Sequence, residues 1–136
     1  MVTTKERKSN LIKWANECIL KSSIYKGGMI CNESYNGQIA AFSVSVALSG
    51  LKPAMALYYS DKGSSDVDKK EIVKLLAGMY SKDKKTAVDD KSFYLQVINS
   101  NGKEENDYQR MIIEYAIALK LTIRTFKFKK NEQKSS

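Results

Sequence analysis

Any acid–base chemistry in this chain must rest on carboxylates and lysines, because the sequence contains no histidine. Histidine is the side chain most often used near neutral pH as general base, proton shuttle or metal ligand. The acidic candidates are Asp66, Asp68, Asp89, Asp90, Glu104 and Glu105. Paired carboxylates such as Asp89-Asp90, or Asp66 with Asp68, are what a metal-dependent nuclease or transferase would need. Each pair also has a plainer use. Asp66 and Asp68 follow Ser65 at the start of a predicted helix, where negative charge meets the positive end of the dipole, and Asp89 or Asp90 can cap the next one. No G-x-x-x-x-G-K-[ST], G-x-S-x-G or H-E-x-x-H pattern occurs. Cys18 and Cys31 are the only cysteines, too few to frame a zinc site. These features predict a reduced, cytosolic non-enzyme without metal or cofactor.

The cations point elsewhere. Twenty-three Lys and Arg against 15 Asp and Glu give a net charge of +8. Such an excess favours phosphate-rich or acidic partners. Lys120, Arg124 and Lys127 recur at i, i+4 and i+7 along one edge of a predicted final helix, with Lys129 and Lys130 beyond. A row of this kind can follow a phosphate backbone, and lysines near a helix C-terminus are also favoured by the dipole.

The elements that must carry these side chains read as helices. The run NGQIAAFSVSVALSGLKPAMALYYS, residues 36 to 60, is the centre of the pattern: a helix built on Ile39, Ala40, Ala41, Phe42, Val44, Val46, Ala47 and Leu48 is apolar around most of its circumference and is expected to be buried. Ser49-Gly50 stops it, and Pro53 fits the first turn of a second helix, giving an elbow. Lys52 and Pro53 interrupt the run, so neither half is long enough to span a bilayer.

Before the elbow, Thr3-Thr4-Lys5-Glu6 has the form of a capping box opening a helix to about Ser22. Its apolar stripe is Leu11, Trp14 or Ala15, Cys18 and Ile19. Residues 25–34, with Gly27-Gly28, read as a loop. The start of the chain is polar and lacks a signal core, so export is not expected.

After the elbow, a polar turn at residues 60–65 leads to an amphipathic surface helix, Val67 to Tyr80, capped by Ser65. Residues 81–91 are charged and predicted to be an exposed connection. A short helix, Ser92 to Asn99, is preferred over a strand because FYLQVI has no partner strand of comparable quality. Residues 99–107 read as a loop. The final helix, Tyr108 to about Phe128, carries a core stripe of Ile112, Tyr115, Ala116, Leu119, Ile123 and Phe126. A second apolar strip, Ile113, Ile117 and Leu121, is available for another contact, such as a second copy of the chain. The expected architecture is all-α, a compact bundle of five or six helices around a buried central elbow, one domain over residues 1–130 with a disordered tail, 131–136.

The order of these parts resembles the small subunit of type III-B CRISPR effector complexes. The resemblance rests on a basic first helix, an apolar central helix ending in Ser49-Gly50-Leu51, the segment Pro53-Ala54-Met55-Ala56-Leu57-Tyr58-Tyr59-Ser60, the turn at Asp61 to Gly63 and the closing helix from Ile113 to Lys120. Ser49 stands where the family has Asn, and Pro53 near the place of a Gln. The type III-A small subunit is also a small basic helical protein, and the central turn and closing helix favour III-B. The resemblance implies a non-catalytic scaffold that stacks with other copies of itself into a filament beside the crRNA ribonucleoprotein. There it would contact the other effector subunits and line the channel for target RNA in antiviral defence. It places the RNA-facing role on Lys120, Arg124 and Lys127, and further on Lys13, Lys21 and Lys52. A basic helical adaptor for an acidic protein, using the Ile113, Ile117 and Leu121 strip, is the alternative of another class.

Overall fold

A computed structural model describes residues 3–60 and 67–129. They form an all-α bundle of six helices with one short hairpin. Helix α1 spans Thr4–Lys21; the Thr3 hydroxyl accepts from the Glu6 N–H at 3.0 Å, as the capping pattern predicts. Leu11, Ala15, Cys18 and Ile19 are buried, and Trp14 is half-buried beside them.

The segment expected to be a loop is instead a hairpin, β1 (Tyr25–Lys26) paired antiparallel with β2 (Met29–Ile30). Gly27 and Gly28 both have positive φ, 62° and 81°, the backbone a two-residue type I′ turn requires. Ile30 also pairs with the chain's last described stretch: its N–H donates to the Lys127 carbonyl at 2.7 Å, and its carbonyl accepts from the Lys129 N–H at 2.8 Å.

The elbow is formed by α2 (Ser34–Ser49) and α3 (Leu51–Ser60). Gly50 sits between them at φ 93° and ψ 165°, a region that is essentially glycine's alone. Tyr35, Ile39, Phe42 and Val46 of α2 and Leu51, Ala54, Met55 and Tyr58 of α3 are buried. The expected burial of α2 holds for one side of the helix only. Val44 is 56% and Leu48 81% exposed, because α3 and α6 (Gly102–Ile123) pack along one side of α2 only.

The helix expected on the surface lies in the core. Helix α4 (Lys70–Lys84) buries Ile72, Val73, Leu75, Leu76, Ala77 and Met79 and touches α1, α3, α6 and α5 (Asp90–Ile98). Its first turn is held by Asp68, which accepts from the Lys70 N–H at 3.0 Å. Ser65, Asp66 and the turn at 61–63 lie outside the described residues, as do Lys130 and the tail 131–136. Helix α4 also runs one turn into the predicted connection, which shrinks to residues 85–89. Asp89 then caps α5, accepting from the Ser92 N–H at 2.7 Å. The predicted loop at 99–107 largely belongs to α6, which begins at Gly102 and ends at Ile123, not near Phe128.

Helices α1, α4 and α6 are tied by one polar cluster. Arg7 donates to both carboxylate oxygens of Asp83, at 3.1 and 3.0 Å, and to Glu114 at 2.8 Å; Tyr115 donates to Asp83 at 2.6 Å. Burial pushes the Asp83 carboxyl up, but the Arg7 and Tyr115 hydrogen bonds and the Arg7 charge more than offset it, leaving it below its ordinary value. Among the described residues no helix is long and apolar enough to cross a membrane.

Candidate nucleic-acid interface

Three elements meet at one end of the bundle. The hairpin follows α1 directly, and the stretch after α6 docks on it through the Ile30–Phe128 pairing. The Tyr25 and Phe126 rings meet edge to face at 5.5 Å. Residues 18–32 and 115–129, which build this end, contain no Asp or Glu but carry Lys21, Lys26, Lys120, Arg124, Lys127 and Lys129. Lys21, Lys26, Arg124, Lys127 and Lys129 are exposed and Lys120 is half-exposed. None of the six has a carboxylate within ion-pair distance among the described residues. Glu71 reaches Ser23 nearby, yet its charge is already paired with Lys74 at 3.0 Å.

The local folding explains the arrangement. Lys127 and Lys129 flank the half-buried Phe128 in an extended segment, where alternate residues share a face. Phe128 packs against the core, so the two lysines project away from it together. The geometry expected for Lys127, the third step of a helical row, is corrected. Helix α6 ends four residues earlier, Arg124 stands at its C-cap, and Lys127 belongs to the hairpin end. Lys120 and Arg124 remain one turn apart on α6 and share that end.

The other predicted cations are dispersed. Lys21 closes α1 and belongs to the basic end. Lys13 is exposed on the middle of α1, away from its buried stripe. Lys52 pairs with Glu105 at 3.6 Å, near the opposite end of α6. Fifteen residues separate Glu105 from Lys120, roughly 22 Å at about 1.5 Å per helical residue, so Lys52 shares no surface with the Arg124 end. Lys26 is the functional candidate that the sequence reading passed over. The signal was present in Tyr-Lys-Gly-Gly-Met-Ile, a Gly-Gly turn between two short apolar pairs.

The carboxylates do not converge. Asp89 is engaged as a cap, and the backbone and hydroxyl hydrogen bonds from Ser92 hold its carboxyl below the ordinary range. Asp68 caps α4. Among the described residues, no three His, Cys, Asp or Glu side chains gather where they could hold a metal ion. Burial raises the Cys18 thiol to about 11, so it is protonated at neutral pH.

Comparison of the chain with protein-family models, curated proteins and solved structures finds no match.

Proposed function

We propose that the protein binds RNA through its basic end, as a non-catalytic small subunit of a type III-B CRISPR effector complex. The observation that carries the RNA reading is the convergence of Lys21, Lys26, Lys120, Arg124, Lys127 and Lys129 from three elements on a surface to which residues 18–32 and 115–129 bring no carboxylate. Six cations without an ion-pair partner among the described residues, beside half-exposed Tyr25, Phe126 and Phe128, suit a ligand held by phosphate charge and stacking, with no base edge read. The assignment to this effector class rests on the resemblance of the central turn and closing helix. Target RNA, the crRNA ribonucleoprotein, neighbouring effector subunits and further copies of the chain are the partners it brings.

A filament also needs contacts between copies. The exposed face of α2, with Ala41, Val44 and Leu48 at helical spacing, offers apolar surface for it. Ile117 and Leu121 on α6, 45% and 50% exposed, favour a second reading in which that strip docks a protein partner.

The experiment is binding of mixed-sequence single-stranded RNAs across a salt series. If all six cations engage phosphates, log affinity falls against log salt with a slope of about −4, from roughly 0.7 ions released per contact on single strands. Scrambling the sequence changes affinity by less than about tenfold. A flat salt response, or no RNA binding at low salt, contradicts the reading and leaves the protein-docking alternative.

A further inference from the structure

A second basic feature lies on the flank of the bundle. The end of α1, the outer side of α4 and the connection at 85–89 enclose an open cleft of about 1000 Å³. Its apolar lining is Cys18, Leu75 and Gly78 on the side of α1 and α4, and Ala87 and Val88 on the side of the connection. Four lysines line it: Lys21, Lys74, Lys82 and Lys85. Two are committed, Lys74 to Glu71 at 3.0 Å and Lys82 to Glu17 at 3.3 Å. Lys21 and Lys85 are exposed and have no carboxylate within ion-pair distance among the described residues. The two carboxylates lining the cleft are both occupied, Glu71 by Ser23 and Lys74, and Asp89 by the cap of α5.

Hydrogen bonds tie the connection to α4. Ser81 donates to the Ala77 carbonyl at 2.9 Å and accepts from the Val88 N–H at 3.1 Å, which fixes the connection against α4. Lys85 ends α4 with φ 54°, and that left-handed turn reverses the chain to form the far wall. Gly78 lets α1 and α4 close up: a Cβ there would stand 3.1 Å from the Cys18 sulfur. Ser22 and Ser23 donate inward, to the Ile19 carbonyl and to Glu71, so their oxygens offer lone pairs outward.

We propose that this cleft is a nucleoside-phosphate site, with the base against Ala87 and Val88 of the connection and the phosphates on Lys21 and Lys85. Ammonium groups serve as point charges for phosphate, and apolar side chains beside hydroxyl acceptors suit a base and ribose better than a peptide carboxylate. An acyl chain would need an enclosed tunnel, and this cleft is open along one side. The nucleoside phosphate has two sources, a free nucleotide or one unit of a strand held at the basic end, which Lys21 also serves. The second source rests on the RNA reading above, and the first does not.

The probes are ADP and a short oligoribonucleotide, read by chemical shifts of the Ala87 and Val88 amides. ADP is expected to shift both amides saturably at low salt. Lys85→Asn removes the charge and keeps a residue that tolerates the left-handed turn, and it weakens binding about tenfold. Ala87→Trp fills the cleft, leaves every charge in place, and abolishes binding. A variant with Lys26, Arg124, Lys127 and Lys129 all changed to Glu separates the sources. Retained ADP binding there identifies a free-nucleotide site, even if RNA binding is lost. Shifts caused by the strand alone, and lost in that variant, identify a strand unit. If neither probe shifts the amides, if the shifts ignore both cleft variants, or if a glutamate-rich peptide binds where ADP does not, the proposal is overturned.

Discussion

Arg7 joins three helices, and the cost of removing its partners follows from where they sit. The Asp83 side chain is almost fully covered, and two hydrogen bonds from Arg7 and one from Tyr115 satisfy it. Asp83→Asn removes the charge that Arg7 faces and one acceptor of the cluster. A loss of about 2–3 kcal/mol in chemical denaturation is expected, within the range for breaking a largely desolvated pair from one side. The pH dependence has a definite sign. The folded-state pKa of Asp83 lies below its unfolded value, so its contribution is present above the unfolded value, near 3.8, and is lost as pH falls through the folded one. Wild type is therefore expected to lose stability in acid more steeply than Asp83→Asn. Parallel acid curves for the two proteins would assign the depressed value to another cause. None of this cluster was legible beforehand. Arg7, Asp83 and Glu114 are far apart in sequence, and Asp83 lay in a run whose composition resembles a solvated connection.

At the scale of elements, apolar spacing located the helices well and their limits less well. The stripe on α1 and the elbow at Gly50 were readable because they depend on local facts, a cap, a period and a glycine. Gly50→Ala tests the elbow: its conformation is one that L-residues avoid, while an added Cβ would meet only Pro53 Cδ at an ordinary 3.7 Å. A loss of about 1–3 kcal/mol is expected in thermal or denaturant melts, entirely from backbone strain. A neutral result would mean that the turn relaxes to another conformation. The start of α6 was missed for a related reason. Asn101-Gly102 is a strong turn signal, yet here it is the helix's entry, with Gly102 at φ 58° and Glu104 and Glu105 in the first turn. The burial of α4 was missed because most of its charged residues are satisfied within the bundle, Glu71 with Lys74, Lys82 with Glu17 and Asp83 with Arg7.

For the whole molecule, the net charge of +8 says little until it is placed. Ion pairs neutralise Arg7, Lys52, Lys74, Lys82 and Arg110 in the body of the bundle. Among the other described cations, six meet where the hairpin, the end of α1 and the end of α6 come together, and the rest, Lys5, Lys8, Lys69 and Lys103 among them, are spread over the other elements. Lys21, Lys120, Arg124, Lys127 and Lys129 of this end were already singled out in the sequence, although Lys127 lies past the helix that was expected to carry it; Lys26 joins them only through the Ile30–Phe128 pairing. The exposed apolar groups Val44, Leu48 and Leu57 lie on the elbow, a different surface. If the proposed RNA contact and a filament contact through α2 both hold, substitutions at Val44 and Leu48 are expected to spare RNA affinity, whereas the Ile117 and Leu121 strip lies beside Lys120 on the basic end itself.

Under the proposed function, the position of the cations and not the total charge would set RNA affinity. The direct measurement compares two variants of equal net charge at one salt concentration. One carries Glu at Lys26, Arg124, Lys127 and Lys129; the other carries Glu at Lys5, Lys8, Lys69 and Lys103. The first is expected to lose at least about a hundredfold in RNA affinity, while the second stays within about tenfold of wild type, the residue left by long-range attraction. Equal losses in the two would contradict the claim and reduce the basic end to a share of the overall charge.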